Sequence, residues 1–135
     1  MLEPLDPAHN ERDHRAWMSS IDHIRATPGF APGEWGSDAW PEPMSAASNL
    51  ADLQTHRREF DHGEAFAWSV LDPVTDEVIG CVYIDPDPTG AADAVVRSWV
   101  TAHRAGLDDL LAIAIRDWIA SAWPIRTARF PGRWS

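Results

Sequence analysis

Apolar positions change their spacing along the chain, and each change marks an element. Trp17, Ile21 and Ile24 recur at helical spacing, with Met18 widening the stripe. Asp6 followed by Pro7 supplies the start of that helix, an N-cap ahead of a proline at the first helical position. Pro28 and Gly29 end it. "SAASNLADLQTHRREF" predicts a second helix, with Leu50, Leu53 and Phe60 along one side and charge on the other. Between the two lies "FAPGEWGSDAWPEP", a loop dense in Gly and Pro. "AFAWSVLD" and "EVIGCVYID", joined by "PVTD", predict a hairpin, and "AVVRSWVT" a further strand. "LDDLLAIAIRDWIASAW" predicts a long helix whose apolar face holds Leu107, Leu110, Leu111, Ala114, Ile115, Trp118 and Ile119. Pro124 stops it, "IRTARF" predicts a last strand, and "PGRWS" is a tail.

With the short extended start "LEPLDP", the order is strand, helix, helix, hairpin, strand, helix, strand. A strand–helix–strand step implies a parallel pair with a right-handed crossover, while the hairpin supplies antiparallel neighbours. The expected fold class is α/β, a mixed sheet flanked by helices and ending after its fifth strand, in a single domain over residues 1–135. Val82, Ile84, Val96 and Val100 form its expected core, covered by Trp118 and Leu111 of the long helix. The last strand is expected at or near a sheet edge.

Charge narrows the choice of partners. Acidic residues number 21 against 11 basic ones, all of them arginine, for a net charge of −10. Nucleic acid and anionic membrane surfaces favour a basic stripe instead. The acidity suits a cationic partner such as an amine, and equally suits plain solubility. "MLEPLDPAHNERDH" has no basic and apolar signal pattern, and Arg116 and Asp117 break the longest apolar helix. The expected location is the cytoplasm.

The one cysteine, Cys81 in "VIGCVYI", excludes an internal disulfide and reads as a buried thiol. His9 and His14 do not share a helix face well. His56 and Glu59 do, but one such pair makes no metal centre, and no metal is expected. His103 stands in the segment before the long helix, where its charged form would help an anion.

The layout, with "FAWSVLDPVTDEVIGCVYI", "VRSWVTAHRAGLDDLLAIAIRDWI" and "WPIRTARFPGR", resembles the GNAT superfamily of N-acetyltransferases over most of the chain. The resemblance implies a fourth and a fifth strand that splay apart, with acetyl-CoA entering the gap. The pantetheine arm would pair with the edge of the fourth strand, and the diphosphate would sit on the loop and helix start that follow. The implied coenzyme-binding positions are Val100, Ala102, Arg104, Ala105, Gly106, Leu107 and Asp109.

This chain departs from the family pattern at two places. The family's loop reads Arg or Gln, two residues, Gly, one residue, then Gly or Ala. With Arg104 in first place, Leu107 and Asp109 stand where small residues belong, and Gly106 is one place early. A helix N-terminus favours an anion by roughly 0.3–1 kcal/mol, up to about 2 in good geometry. A carboxylate about 6 Å from a phosphate opposes it by roughly 0.7–3 kcal/mol. Asp109 therefore weakens acetyl-CoA binding or abolishes it, unless Arg104 offsets the charge. Asp108 and Asp109 also have a plain role, stabilising the first turn of their own helix. The second departure is that "PGRWS" stands where the family continues with a helix and two more strands.

Amine acetylation needs a base, and the resemblance implies a Tyr that protonates the leaving thiolate. The candidate catalytic residues are Glu34, Asp85 and Tyr83, the only tyrosine, with Asp38 as a further loop acid. Each has a bland alternative: solvated loop acids, and a packing tyrosine. Trp35 and Trp40, beside Glu34 and Asp38, suit an organic cation or else plug the core edge. The function expected is an acyl-CoA-dependent N-acetyltransferase acting on a small-molecule or peptide amine. The alternative is a non-catalytic module that keeps the sheet for ligand or protein binding. Phe130 and Trp134 add apolar area near the last strand, which points to a homodimer through the C-terminal segment.

Overall fold

A strand whose residues are buried one after another must have layers on both faces. Residues 78–84 form such a strand, every one of them buried. The structure is a computed structural model, and it describes residues 1–32 and 40–134. Its elements are β1 (Leu2–Pro4), α1 (Asn10–Met18), α2 (Ile21–Arg25), α3 (Ala46–Asp61), β2 (Phe66–Leu71), β3 (Val78–Pro86), β4 (Ala94–Val100), α4 (Asp108–Ala122) and β5 (Ala128–Arg129). Short 3₁₀ turns cover Pro7–His9 and Ala102–Leu107.

The sheet runs β1-β2-β3-β4-β5, antiparallel until the final parallel pair of β4 with β5. This is the mixed α/β architecture that the pattern predicts. Val70 pairs with Gly80 and Leu71 with Val78, so Ile79 is an extra residue that bulges β3. Gly80 lets β3 and β4 approach, because a Cβ there would lie 2.5 Å from the Trp99 carbonyl oxygen.

Two apolar layers cover the sheet. On one face Trp17, Ile24, Phe30 and Leu53 pack on Cys81, Tyr83 and Trp99. On the other, Ile115 and Ile119 of α4 pack on Val82, Ile84 and Val96, with Leu111 and Trp118 half-buried beside them. Val100 is buried as well.

Three expectations need correction. The first helix is two, because Ser19 and Ser20 intervene between α1 and α2. Ser19 Oγ donates to the Ala16 carbonyl at 2.7 Å and the Ser20 amide donates to Trp17, a tightened end that competes with further winding. Asp6 does cap, but it caps the 3₁₀ turn over Pro7–His9. Next, α4 buries Ala112, Ile115 and Ile119 and leaves Leu110 and Ala114 exposed, and Leu107, exposed too, belongs to the 3₁₀ turn before it. Its apolar arc is wider than the stripe one helix can turn to a sheet, so the edge of the arc stays outside. Lastly, β5 is two residues long. The Arg126 and Thr127 amides donate to Asp93 Oδ2 at 3.0 and 3.2 Å, and that carboxylate replaces strand partners. As expected, β5 lies at the sheet edge.

Candidate active site

The site begins with a divergence. β4 pairs with β5 only at Ala94–Ala128 and Val95–Arg129. Beyond that, the outer edge of β4 has no strand partner among the described residues. The Thr101 amide donates to the Ile79 carbonyl, in register with Gly80–Val100. By antiparallel alternation, the odd-numbered residues of β4 then bond to β3. The backbone groups of Val96, Ser98 and Val100 face the gap.

At the wide end of the gap the chain winds into the 3₁₀ turn over Ala102–Leu107, kinked at Arg104, and then into α4. Ser20, at the α1–α2 break, holds the start of this turn: its Oγ accepts the Ala102 amide at 2.9 Å. The Arg104 amide donates to Thr101 and the Asp108 amide to Ala105. Winding therefore engages amides that an open glycine loop would leave free. Gly106 adopts no left-handed conformation, and a Cβ there would meet nothing within 4 Å. A cleft of about 300 Å³ lies beside it, lined by His23, Thr27, Pro28, Ala105, Asp108 and Asp109 among others. The His23 Nε2 atom is buried and has no hydrogen-bond partner among the described residues.

The charges sort differently from the sequence expectation. Arg104 does not offset the acids at the helix start. Its guanidinium pairs with Asp72, which begins the β2–β3 turn. The Val74 and Thr75 amides also donate to Asp72, and with Arg104 they hold its carboxyl below the usual range. Arg133 is the cation at the helix start. Its two terminal nitrogens grip Asp108 at 2.9 and 3.0 Å, and one reaches the Ser98 carbonyl at 3.4 Å. Sequence reasoning missed this contact, because no periodicity links a residue in a Gly-Pro tail to a helix 25 residues earlier. Asp109 and Leu107 are exposed and Arg104 is half-buried.

Tyr83 and Asp85, on β3, lie apart from this turn. Tyr83 is 4% exposed, packed with Phe30 and Trp99, and its hydroxyl accepts Trp99 Nε1–H at 3.0 Å. Burial first, and then the nearby Cys81 and Asp13, push its pKa well above the ordinary value. The structure thus places Tyr83 in the core. Asp85 is half-buried and pairs in register with Val95, near the start of β4. It also lines a second cleft of about 300 Å³, with Glu64, Phe66, Asp93 and Trp123. His56 on α3 stacks near Tyr83 at 6.0 Å, and burial lowers its pKa against the pull of Glu59 and Asp85. Trp40 contacts Trp17, Phe30 and Trp99 at 5.5–6.3 Å between centroids, which is the core-edge placement. Glu34, Trp35 and Asp38 lie outside the described residues.

Among the described residues, no three or more His, Cys, Asp or Glu side chains gather as metal ligands. No described helix is long and apolar enough to cross a membrane. Cys81 is a buried free thiol whose burial raises its pKa.

Solved structures share this arrangement. The acetyltransferase from Salmonella typhimurium that modifies the N-terminal serine of ribosomal protein L7/L12 superposes with a TM-score of 0.69 at 14% identity, over 96% of this chain and 68% of that one. The ribosomal-protein-S5-alanine acetyltransferase from Vibrio fischeri gives 0.65 at 16% identity, over 90% and 63%. RimL, an L7/L12 alpha-N-protein acetyltransferase in complex with coenzyme A, gives 0.64 at 14% identity, over 90% and 64%. This chain thus spans 63–68% of the length of these enzymes. No protein-family model and no curated protein matches the sequence. The fold is that of the GNAT N-acetyltransferases.

Proposed function

We propose that the protein is an acyl-CoA-dependent N-acetyltransferase acting on an amine, with the N-terminal amine of a peptide as the leading acceptor class. The observation that carries this reading is the β4–β5 gap with a helix starting at its wide end. Acetyl-CoA, when bound, supplies the activated acyl group. The residues fit it in two respects. The outward backbone of Ser98 and Val100 can pair with an amide-bearing arm. The unpartnered His23 Nε2 lies by the cleft at the first turn of α4, where a helix N-terminus favours an anion.

This chain's own part is to hold the donor along β4 and to take a proton from the incoming ammonium. Asp85, or Glu34 from the sequence reading, is assigned the proton. The substrates named for the neighbouring acetyltransferases, the N-terminal serine of ribosomal protein L7/L12 and an alanine of ribosomal protein S5, support a peptide acceptor. The exposed Leu110, Ile113 and Trp134 support self-association through the α4 and C-terminal face. Light scattering after size exclusion is expected to give a dimer, and a monomer near 15.0 kDa overturns that part.

The test is a titration with coenzyme A and acetyl-CoA, followed by mass spectrometry of peptide libraries incubated with both. Saturable binding and a mass gain at free N-terminal amines are expected. Absence of binding by every acyl-CoA tried, at millimolar ligand, overturns the assignment.

A further inference from the structure

The segment after β5 lies across the site just described. Phe130 and Arg133 close a tight turn through the Arg133 amide and the Phe130 carbonyl, at 3.0 Å. Gly132 sits in the left-handed region at φ +75°, against Gly29 and against Pro28, which lines the cleft. Arg133 then grips Asp108 and reaches Ser98, and its side chain is only 9% exposed. Trp134 stacks on Phe130 at 5.2 Å and on the Arg116 guanidinium at 4.6 Å. One short segment thus bridges Pro28, the free edge of β4 and the start of α4.

We propose that residues 131–134 are a displaceable strap that closes the β4–β5 gap and competes with coenzyme A for it. This rests on the acyl-CoA reading above. The Ser98 carbonyl is an acceptor that an incoming amide would use, and Arg133 holds it. The paired guanidinium and carboxylate stand at the helix start, where a diphosphate would have to settle. Two charge-assisted bonds in a bidentate pair make a specific latch. The remaining attachments are small: a glycine against a proline, and a tryptophan that is half exposed. A site available for about one-tenth of the time binds its ligand about tenfold more weakly than the open site does. The strap therefore sets the apparent affinity without touching the acceptor side.

The experiment titrates coenzyme A by calorimetry into three proteins: the intact chain, the Asp108→Asn/Arg133→Gln double variant and Gly132→Ala. The double variant removes the latch without leaving Asp108 as an unpaired charge. Gly132→Ala keeps both charges and pushes the segment off Pro28, because its Cβ would lie 2.9 Å from the Pro28 Cβ at a backbone angle that side chains avoid. Fluorine NMR of 5-fluorotryptophan protein, with Trp134 assigned through Trp134→Phe, reports the strap itself. Expected are weak binding to the intact chain with a shift of the Trp134 resonance, at least tenfold tighter binding to both variants, and a Trp134 resonance already shifted in them. Equal or weaker binding by the variants, or an unmoved Trp134 on saturation, overturns the strap and leaves the acyl-CoA reading standing. No binding by any of the three folded proteins overturns both.

Discussion

Asp13 offers the sharpest test of the packing. It lies on α1, 5% exposed, facing α3. Asn49 Nδ2 donates to its Oδ2 at 3.0 Å, and Asn49 Oδ1 in turn accepts Trp17 Nε1–H at 3.0 Å. Burial raises its pKa from 3.8 to about 6, against the hydrogen bond from Asn49 and the attraction of His14, and with repulsion from Asp52. A raised carboxyl pKa means that the folded protein holds this proton more tightly than the unfolded chain does. Its contribution is fully present below about pH 4 and is lost as pH rises through about 6. A rise of about two units, at 1.36 kcal/mol each, makes that loss about 3 kcal/mol at neutral pH.

Asp13→Asn removes the ionisation and keeps a side-chain oxygen for Asn49. Urea unfolding of both proteins at several pH values from 4 to 8 gives the difference curve. The variant is expected to gain on the parent by about 2 kcal/mol between the ends of that range. His9 and His56, whose pKa values burial lowers, act in the opposite sense, losing stability as pH falls. Both are present in both proteins and cancel in the difference. A flat difference curve, or a constant penalty from the amide, would refute a buried proton on Asp13.

Other outcomes follow from single contacts. Gly80→Ala forces a Cβ against the Trp99 carbonyl and is expected to cost about 1–3 kcal/mol in chemical denaturation; an unchanged midpoint would mean that β3 and β4 are further apart. Tyr83→Phe leaves the buried Trp99 Nε1–H without its acceptor and is expected to cost about 1–3 kcal/mol, and under the proposed function any acetyl transfer is expected to be unchanged at a temperature where both proteins are folded. A rate loss there would support a catalytic role for Tyr83. Asp87 collects the Thr89 and Ala92 amides, the Thr89 hydroxyl and Arg129, which hold its carboxyl far below the usual range. Stability from Asp87 is present above about pH 4 and fades as pH falls further, so acid unfolding of Asp87→Asn should depend less on pH in that region.

The legible parts of the fold were those where one local signal decides. The hairpin between β2 and β3, the strand β4 and the helix α3 follow from alternation, turn residues and the helical spacing of Leu50, Leu53 and Phe60. The helix α4 shows where such signals stop. Leu107, Leu110 and Leu111 are equally apolar, and periodicity alone cannot choose which edge of a wide arc meets the sheet. The choice depends on what the sheet presents, a surface of Val82, Ile84 and Val96 flanked by Trp68. Likewise, the shortness of β5 depends on Asp93, a loop residue 34 positions from the Thr127 amide it binds.

The site divides in the same way, and charge is the reason. Spacing located the turn after β4 and the acids at the start of α4 correctly, because both are features of one continuous segment. Assigning a counter-ion is a different problem. Arg104 is four residues from Asp108, yet it turns to Asp72 across the sheet end. The Val74 and Thr75 amides already make Asp72 a strong anion site, so the nearest arginine is drawn there. Asp108 is left to Arg133, which follows Gly132 and its left-handed turn beside Pro28. The glycine held in a special conformation at this site therefore lies after β5 and not in the loop before α4. Gly106 occupies an ordinary conformation that another residue would tolerate, whereas Gly132 holds a positive φ against Pro28, next to the arginine that pairs with Asp108.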